Sequence, residues 1–168
     1  MTGTGMAHIE QPHEGATNDW WTPPELVQAL GEFDLDPCAG VGQETFPVKW
    51  RYAPPEDGLS KPWAGRVFCN PPYGPHVAGW AVKMAAHMNG ILLIFARTET
   101  RAWQQIWNTA TAILLPSRRI TFHRPDGTKA KSGTAPSAFI AYGHNNVEAL
   151  YKSGIKGTIL TEWDTFFD

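Results

Sequence analysis

The chain has 168 residues, of which 42% are hydrophobic and 18% are charged. This length and composition predict one globular domain with its own core and exclude a chain that is disordered throughout. The longest strongly apolar run, residues 91–96, is far shorter than the roughly 18 residues of a membrane-spanning helix. The N-terminus has no basic flank beside an apolar stretch, and the two cysteines are Cys38 and Cys69. We therefore expect a reduced, cytoplasmic protein without a signal peptide or a membrane segment.

The net charge of −2 conceals an uneven distribution along the chain. Residues 1–60 contain ten acids and two bases, whereas residues 61–133 contain ten bases and two acids. The middle of the chain is therefore expected to face an anionic partner, with charges scattered over a solvated surface as the alternative. The eight tryptophans fit either a compact core or stacking on nucleobases.

The N-terminal part of the chain predicts a polar leader followed by a short helix. Residues 1–17 are polar and aperiodic, so we expect a disordered leader before a single domain that spans residues 18–168. Thr22 is typical of a helix N-cap, and Glu25 three residues later completes a capping box. Gly31 is expected to end this helix.

Strands and helices alternate along the rest of the chain. Val77, Ala81 and Met84 recur at the spacing of one helix face, whereas residues 91–96 are apolar throughout, as in a buried parallel strand. Strands are predicted at residues 33–37, 66–69, 91–96, 112–115 and 137–142, and helices at residues 75–88 and 100–109. This alternation predicts an α/β sheet with right-handed crossovers. Residues 40–62 are too rich in glycine and proline for an assignment.

One segment of unusual sequence follows the first predicted strand, at the edge where ligands bind in open α/β sheets. Residues 36–42 contain Gly40 and Gly42, and glycine lets the backbone turn tightly and approach a ligand closely. The pair does not continue into the G-x-G-x-x-G pattern of dinucleotide folds, since residue 45 is threonine. A plain surface turn is the alternative interpretation.

A second segment, Asn70-Pro71-Pro72-Tyr73, follows a later strand. Two consecutive prolines fix φ twice and remove two backbone donors. The loop is therefore stiff, and it carries two acceptors, the side-chain oxygen of Asn70 and the carbonyl of Pro71. Two rigid acceptors beside an aromatic ring suit a planar group that bears an NH2. A rigid strand-to-helix turn without chemistry is the alternative.

A basic stretch at residues 117–131 carries five bases and one acid, with Phe122 and His123 between them. We predict that it lies along phosphates, and a solvated, mobile hairpin is the alternative. Arg97 and Arg101 follow an inner strand and are the second candidates for contacts to phosphates. The candidate residues for binding this anionic partner are Arg97, Arg101, Arg118, Arg119, Arg124, Lys129 and Lys131.

These segments, in this order, resemble the motifs of S-adenosylmethionine-dependent amino-methyltransferases. Asn70 to Tyr73 is similar to their catalytic motif, and residues 36–42 are similar to their cofactor motif, with Cys38 in place of the usual phenylalanine. Thr22 begins a segment similar to their threonine-proline motif. More closely, the chain resembles the phage-type DNA N6-adenine methyltransferases, the Dam family of phages and prophages. The stretches that carry this likeness are residues 21–23, 33–36, 56–59, 63–67, 70–74, 96–101 and 136–139, and the likeness runs from about Asp19 to Tyr142.

The resemblance implies a Rossmann-like class I methyltransferase fold, with a mostly parallel central sheet and a C-terminal antiparallel strand. It implies S-adenosylmethionine as the cofactor, DNA as the partner and a small basic target-recognition insertion around residues 117–135. The implied cofactor-binding residues are Trp21, Thr22, Pro23, Asp36, Pro37, Cys38, Gly40, Gly42 and Asp57. The implied catalytic residues are Asn70, Pro71, Pro72 and Tyr73. Glu44 is a candidate for the cofactor ribose, a contact that the sequence leaves open.

The implied reaction is methyl transfer to the N6 amine of adenine in DNA. This amine is a poor nucleophile because its lone pair is delocalised into the ring, and acceptors for both N–H hydrogens would localise that pair. Asn70 and the Pro71 carbonyl are the implied acceptors, and neither a metal nor a strong general base is required. The base must leave the duplex to reach them, and Tyr73 would hold it by stacking.

Other functions remain open at this point. The same tetrapeptide serves methylation of RNA bases and of glutamine in proteins, and a DNA-binding module of this fold without catalysis is a further alternative. The pair Pro37-Cys38 resembles the nucleophile of cytosine-C5 methyltransferases, but it lies outside the catalytic loop and lacks their glutamate partner. Protection against restriction endonucleases fits a phage-type enzyme. The sequence specifies neither the target site, the strand preference nor the oligomeric state.

Overall fold

In the computed structural model, which describes residues 20–44, 46–130 and 135–164, seven strands form one sheet. The strands are β1 (Phe33–Asp36), β2 (Val48–Arg51), β3 (Val67–Cys69), β4 (Gly90–Phe95), β5 (Ala112–Pro116), β6 (Ser137–Tyr142) and β7 (Gly157–Leu160). Their order across the sheet is β2-β1-β3-β4-β6-β5-β7. Strands β1 to β4 pair in parallel, whereas β6 is antiparallel to both β4 and β5, and β7 is antiparallel to β5. This mixed α/β arrangement is consistent with a Rossmann-like fold.

The helices within the described residues are α1 (Pro24–Ala29), α2 (Val77–His87), α3 (Arg101–Thr109) and α4 (His144–Lys152). None of them is long and apolar enough to cross a membrane. Gly31 has a φ of 92° directly after the C-cap of α1, which confirms that it ends the helix. The predicted N-cap is wrong. Pro23 holds the N-cap position, and the buried hydroxyl of Thr22 accepts a hydrogen bond from Asn70 instead.

The five predicted strands and three predicted helices are all present, with ends shifted by at most two residues. Strands β2 and β7 and helix α4 were not predicted. Both missed strands lie at the sheet edges and are partly or fully exposed. The sequence of β2 alternates over only four residues, within the glycine- and proline-rich stretch at residues 40–62, and the sequence of β7 does not alternate. The predicted antiparallel strand corresponds to β6, which lies inside the sheet, and β7 is a second antiparallel strand at its edge.

The sheet has an apolar layer on each face in the described part of the chain. The sequence of β4 is apolar throughout because the strand contacts both layers: Leu92 and Ile94 face one layer, while Ile91 and Leu93 face the other. Helices α2 and α3 cover the first layer, and α1 and α4 cover the second. A sheet covered on both faces leaves the ends of its strands as the place for a ligand.

Arg66 and Asn146 join α4 to the loop before β1 and to the loop before β3. The Arg66 guanidinium donates to the carbonyls of Leu30 and Glu32 at 2.8 Å each and to Asn146 Oδ1 at 2.7 Å. The buried Asn146 amide in turn donates to the Tyr142 carbonyl at 2.7 Å. Since each donor has an acceptor, this polar network can lie beneath α4 without leaving buried groups unpaired.

Replacing Asn146 by alanine is expected to lower the free energy of unfolding by about 2–3 kcal/mol, because it leaves the buried partners of its amide unsatisfied. Urea unfolding of the variant and the wild type measures this difference. The neighbouring exposed residue provides a matched control, and Asn145→Ala should stay within about 0.5 kcal/mol of the wild type. Equal losses in the two variants would contradict this interpretation of the network.

Candidate active site

The two unusual segments meet at one edge of the sheet. Strands β1 and β3 are parallel neighbours, with Leu35 opposite Val67, so both end on the same side. A cleft of about 380 Å³ lies beyond these ends. The predicted site residues that line it are Trp21, Thr22, Asp36, Pro37, Cys38, Gly40, Asp57, Asn70, Pro71, Pro72 and Tyr73. The fold therefore brings together segments that lie far apart in the sequence.

Three residues proposed for the cofactor lie outside this cleft. Pro23 is buried and lines a separate groove beside the basic stretch. Gly42 is in an exposed turn with a φ of 74°, a conformation that favours glycine. Glu44 is exposed, whereas Glu56 lines the cleft and pairs with Lys61 at 3.2 Å.

Asn70 is held by the segment that precedes α1. Its Nδ2 donates to the Trp20 carbonyl at 2.9 Å and to Thr22 Oγ1 at 3.1 Å. A backbone carbonyl can only accept, so the amide NH2 and not the amide oxygen faces Trp20. Asn70 Oδ1 is left buried, with no hydrogen-bond partner among the described residues. A strong acceptor is thus kept unpaired at the end of β3.

Tyr73 separates the cleft from a second cavity of about 310 Å³, which Phe95 and Arg97 also line. Its ring stacks on Phe95 with centroids 3.8 Å apart and planes 7° from parallel, and the Arg97 guanidinium lies 5.7 Å from the Phe95 centroid. Burial, together with the sulfur of Cys38, raises the pKa of the Tyr73 hydroxyl. This hydroxyl is buried and has no partner within the described chain.

Asp36, the last residue of β1, places a buried carboxyl in the cleft wall. It is 4% exposed, and its Oδ1 accepts from the Cys38 backbone N–H at 3.1 Å. Burial raises the pKa of this carboxyl to about 6, while the Cys38 hydrogen bond and the charge of Arg51 act in the opposite direction. The carboxylate is thus mostly ionised at neutral pH, inside an apolar surrounding.

Glycine lets two backbone segments close around the cleft. A Cβ on Gly58 would lie 1.7 Å from the Pro37 carbonyl oxygen, and one on Gly40 would lie 2.6 Å from Trp21 Nε1. The buried side chain of Gln43 fixes the turn, since its Oε1 accepts from the Gly40 N–H at 2.8 Å. Trp21 Nε1 is itself a buried donor that has no partner in the described ranges.

Lys83 of α2 holds the loop that carries Asp57. Its ammonium donates to the carbonyls of Gly58 at 3.1 Å, Leu59 at 2.6 Å and Lys61. Burial lowers the pKa of Lys83, and the charge of Asp57 partly offsets that effect. Sequence reasoning missed this residue, because a lysine on an amphipathic helix carries no signal that it anchors a distant loop.

Cys38 and Cys69 lie side by side, as expected for residues at the ends of neighbouring strands. Their sulfurs are 3.5 Å apart, and both cysteines are free. Burial raises the pKa of both thiols, so they are protonated at neutral pH. They behave as small apolar groups beneath the cleft, and Cys38 occupies its wall.

The candidate DNA-binding residues fall into separate places. Arg97 and Arg101 line the second cavity beside Tyr73, whereas Arg118, Arg119 and Lys129 line a groove of about 560 Å³ that also contains Lys156. Arg124 is exposed in a turn and donates to Thr128 Oγ1 at 3.4 Å, and Lys131 lies outside the described residues.

The basic stretch is anchored to the fold at several points. Ile120 and Phe122 are buried in the core layer that α1 and α4 cover. His123 pairs with Trp21 through two backbone hydrogen bonds of 2.9 Å, and it also bridges to Lys129. The described part of this stretch is therefore not a freely solvated hairpin. Its charged side chains are exposed while its backbone is fixed.

Sequence reasoning missed part of the cleft wall. Most of these residues come from loops, while Phe68 comes from β3 and Trp80 from α2, and no local pattern indicates which cavity a side chain will line. Outside the motif at residues 36–42, the missed residues are Trp20, Gln43, Phe46, Tyr52, Pro54, Pro55, Glu56, Gly58, Phe68 and Trp80.

Comparison with known proteins identifies one family. The family model described as DNA N-6-adenine-methyltransferase (Dam) matches residues 11–158. Neither the curated proteins nor the solved structures contain a match to the chain. The matched range includes every residue that the sequence analysis assigned to the cofactor, to catalysis or to DNA.

The buried carboxyl of Asp36 is expected to make stability depend on pH. Its pKa rises from 3.8 to about 6 on folding, so the folded state holds a proton that the unfolded state releases between these values. Stability should therefore fall as the pH rises through this window and level off above pH 6. The two units correspond to about 3 kcal/mol.

Asp36→Asn keeps the acceptor for Cys38 without the charge, and it should be more stable than the wild type at pH 7.5 and about equal at pH 4. Urea unfolding at the two pH values measures the difference. A gain in stability that is the same at both pH values would contradict the role of the buried charge.

Proposed function

Because the chain belongs to the DNA N-6-adenine-methyltransferase (Dam) family, we propose that it is an active enzyme that methylates the N6 amine of adenine in DNA, with S-adenosylmethionine as the methyl donor. The proposal includes a class I methyltransferase fold. The observation that carries it is the buried, unpartnered Oδ1 of Asn70 at the end of β3. A buried acceptor without a partner costs about 1–3 kcal/mol, so its retention points to a ligand that donates there.

Unpartnered polar atoms concentrate in this cleft. In the described ranges, the buried side-chain atoms without a hydrogen-bond partner belong to Trp21, Asn70, Tyr73 and Ser137, and the first three line the cleft. One of these atoms is an acceptor, one is a donor and one is a hydroxyl that can do either. This arrangement suits a ligand with several polar groups of both kinds.

We assign the target amine to Asn70 and Pro71. Asn70 Oδ1 would accept one N–H of the adenine amine and the Pro71 carbonyl the other, which localises the nitrogen lone pair as the new bond forms. The two prolines contribute no N–H of their own, so the loop presents acceptors to the substrate. The rigid loop holds these acceptors in place before the substrate arrives, and positioning then supplies much of the rate.

The cleft fits S-adenosylmethionine, which when bound supplies a methyl group on a positively charged sulfur. Gly40 and Gly58 let the Trp21 ring and the Pro37 carbonyl come close enough to close the cleft wall. The buried indole N–H of Trp21, which has no partner among the described residues, is a donor for an acceptor group of the cofactor. The ionised Asp36 carboxylate is a favourable neighbour for a cation. Asp57, beside Gly58, would accept from the adenine amine of the cofactor.

The residues assigned to the cofactor differ in whether they line the cleft. Thr22, Pro37 and Cys38 lie in the cleft wall as the assignment requires. Pro23 and Gly42 lie outside the wall, so we assign them a role in shaping the backbone on either side of it. Glu56 lines the cleft and Glu44 does not, which favours Glu56 for the cofactor ribose.

We propose that the target adenine is flipped out of the duplex and stacks on Tyr73. Phe95 covers one face of the Tyr73 ring, with 3.8 Å between the centroids. No base fits into that spacing, so the target would stack on the other face. The exposed arginines and lysines that line the second cavity and the groove of the basic stretch would bind backbone phosphates.

Asn70→Ala is expected to lower the rate of methyl transfer by about 100- to 1,000-fold while leaving cofactor affinity nearly unchanged, since it removes an acceptor used in the reaction. Transfer of labelled methyl groups from S-adenosylmethionine to unmethylated DNA measures the rate. Asn145→Ala, on the exposed side of α4, is the matched control and should retain wild-type activity.

RNA and bulk protein are assayed beside DNA in the same experiment. Label in RNA or protein only would move the proposal to those substrates, and binding of the cofactor without any transfer would favour a non-catalytic DNA-binding module. Loss of cofactor affinity in Asn70→Ala would contradict the assigned role of the amide.

Tyr73→Ala is expected to weaken the apparent affinity for DNA by about tenfold, whereas Tyr73→Phe should change it little. Stacking requires the ring and is worth about 1–3 kcal/mol per base, while the hydroxyl has no partner among the described residues. The KM for DNA under saturating cofactor measures both effects. Similar losses in the two variants would show that the hydroxyl and not the ring carries the function.

A further inference from the structure

The hydroxyl of Thr22 is committed to Asn70. Thr22 is 1% exposed, and its Oγ1 accepts from Asn70 Nδ2 at 3.1 Å. Although its sequence position is typical of an N-cap, the structure places Pro23 at the N-cap of α1 without a side-chain cap in the described chain. The side chain therefore does not serve its own helix.

The Trp20 carbonyl is the second acceptor for the Asn70 amide, and together with Thr22 Oγ1 it forms a cradle for that amide. It accepts from the same Nδ2 at 2.9 Å, and an NH2 group has two hydrogens to donate. With one acceptor for each hydrogen, the amide has a single preferred orientation, in which Oδ1 points away from Trp20 and Thr22. A flipped amide would place its oxygen against the Trp20 carbonyl and present its NH2 to the incoming amine, and both contacts are repulsive.

The cradle is fixed from its outer side by the basic stretch. Trp21, between the two acceptors, donates its N–H to the His123 carbonyl and accepts from the His123 N–H, each at 2.9 Å. The buried Pro23 follows directly and leads into α1. Residues 20–22 therefore lie between the stretch that carries the exposed bases and the amide of Asn70.

We propose that Thr22 is a positioning residue for methyl transfer: together with the Trp20 carbonyl, it selects the amide orientation in which Asn70 Oδ1 receives the N–H of the target amine. This inference rests on the proposed function. It is a separate role from the cofactor contact that the family resemblance implies for Thr22, and it is compatible with that contact, since a hydroxyl that accepts from Asn70 still has one hydrogen to donate. The two roles predict different kinetic effects.

The test compares Thr22→Val with Thr22→Ser. Valine is close in size to threonine but has no hydroxyl, whereas serine keeps it. Single-turnover methyl transfer at saturating S-adenosylmethionine and DNA should fall by about 10- to 100-fold in the valine variant and stay within about threefold of wild type in the serine variant. Titration with S-adenosylhomocysteine measures cofactor affinity separately.

Thr111→Val is the matched control for the loss of a threonine hydroxyl. Thr111 Oγ1 also accepts one N–H, from Gly143 at 2.9 Å, but it precedes β5 and does not line the cleft. This variant should keep the wild-type rate. Thermal unfolding of all variants shows that each is folded at the assay temperature.

A second measurement does not depend on activity. In an NMR spectrum of ¹⁵N-labelled protein, the Asn70 side-chain NH2 should exchange with solvent about five- to tenfold faster in Thr22→Val than in the wild type or in Thr22→Ser, since one of its acceptors is gone. An unchanged exchange rate in Thr22→Val would show that the hydroxyl does not hold the Asn70 amide and would overturn the proposal. The exchange measurement does not require activity. If the wild type transferred no methyl group, that result would contradict the proposed function but not the role of Thr22 in holding the Asn70 amide.

The kinetic outcomes also separate the two roles. A valine variant with reduced cofactor affinity but a wild-type rate at saturation would make Thr22 a cofactor contact only and overturn the proposal. Equal loss of rate in the serine and valine variants would show that the hydroxyl is not the cause and would also overturn it.

Discussion

The parallel pairing of β1 with β3 is the constraint on which the candidate active site depends. Parallel strands end at the same edge of a sheet, so Asp36 at the end of β1 and Asn70 after β3 meet there although 33 residues separate them. Because β2 is parallel to β1, the chain must return to the opposite edge of the sheet twice, once between β1 and β2 and once through the Asp57 loop after β2. That return path becomes the outer wall of the cleft, where Gly58 closes against the Pro37 carbonyl.

The polar groups of this edge are only partly satisfied within the protein. The Lys83 ammonium donates to three carbonyls of the Asp57 loop, and Asn70 Nδ2 donates to the Trp20 carbonyl and to Thr22 Oγ1. The remaining atoms that line the cleft, Asn70 Oδ1, Trp21 Nε1 and the Tyr73 hydroxyl, stay buried and unpaired in the described chain. The donors and acceptors that hold the loops in place thus also decide which atoms are left for a ligand, which links the folding of this edge to its chemistry.

Local patterns predicted most of the sheet, because its inner strands are apolar over their whole length. Strand β4 is apolar in every residue that it turns to either layer, and Gly31 ends α1 by adopting a positive φ. Edge strands β2 and β7 bury little, so their sequences carried no such signal. The N-cap assignment of Thr22 failed for a different reason: a local motif competed with a partner 48 residues away, and the distant partner formed the bond.

Local sequence patterns indicate the chemical character of the site: a stiff double-proline loop after a strand, glycines where the backbone must come close, and a basic middle section. The orientation of the Asn70 amide, the anchoring role of Lys83 and the division of the arginines between two separate cavities follow from the tertiary structure alone. Local character depends on backbone conformation and neighbouring side chains, whereas these contacts depend on strand order and on the paths of the connections between strands.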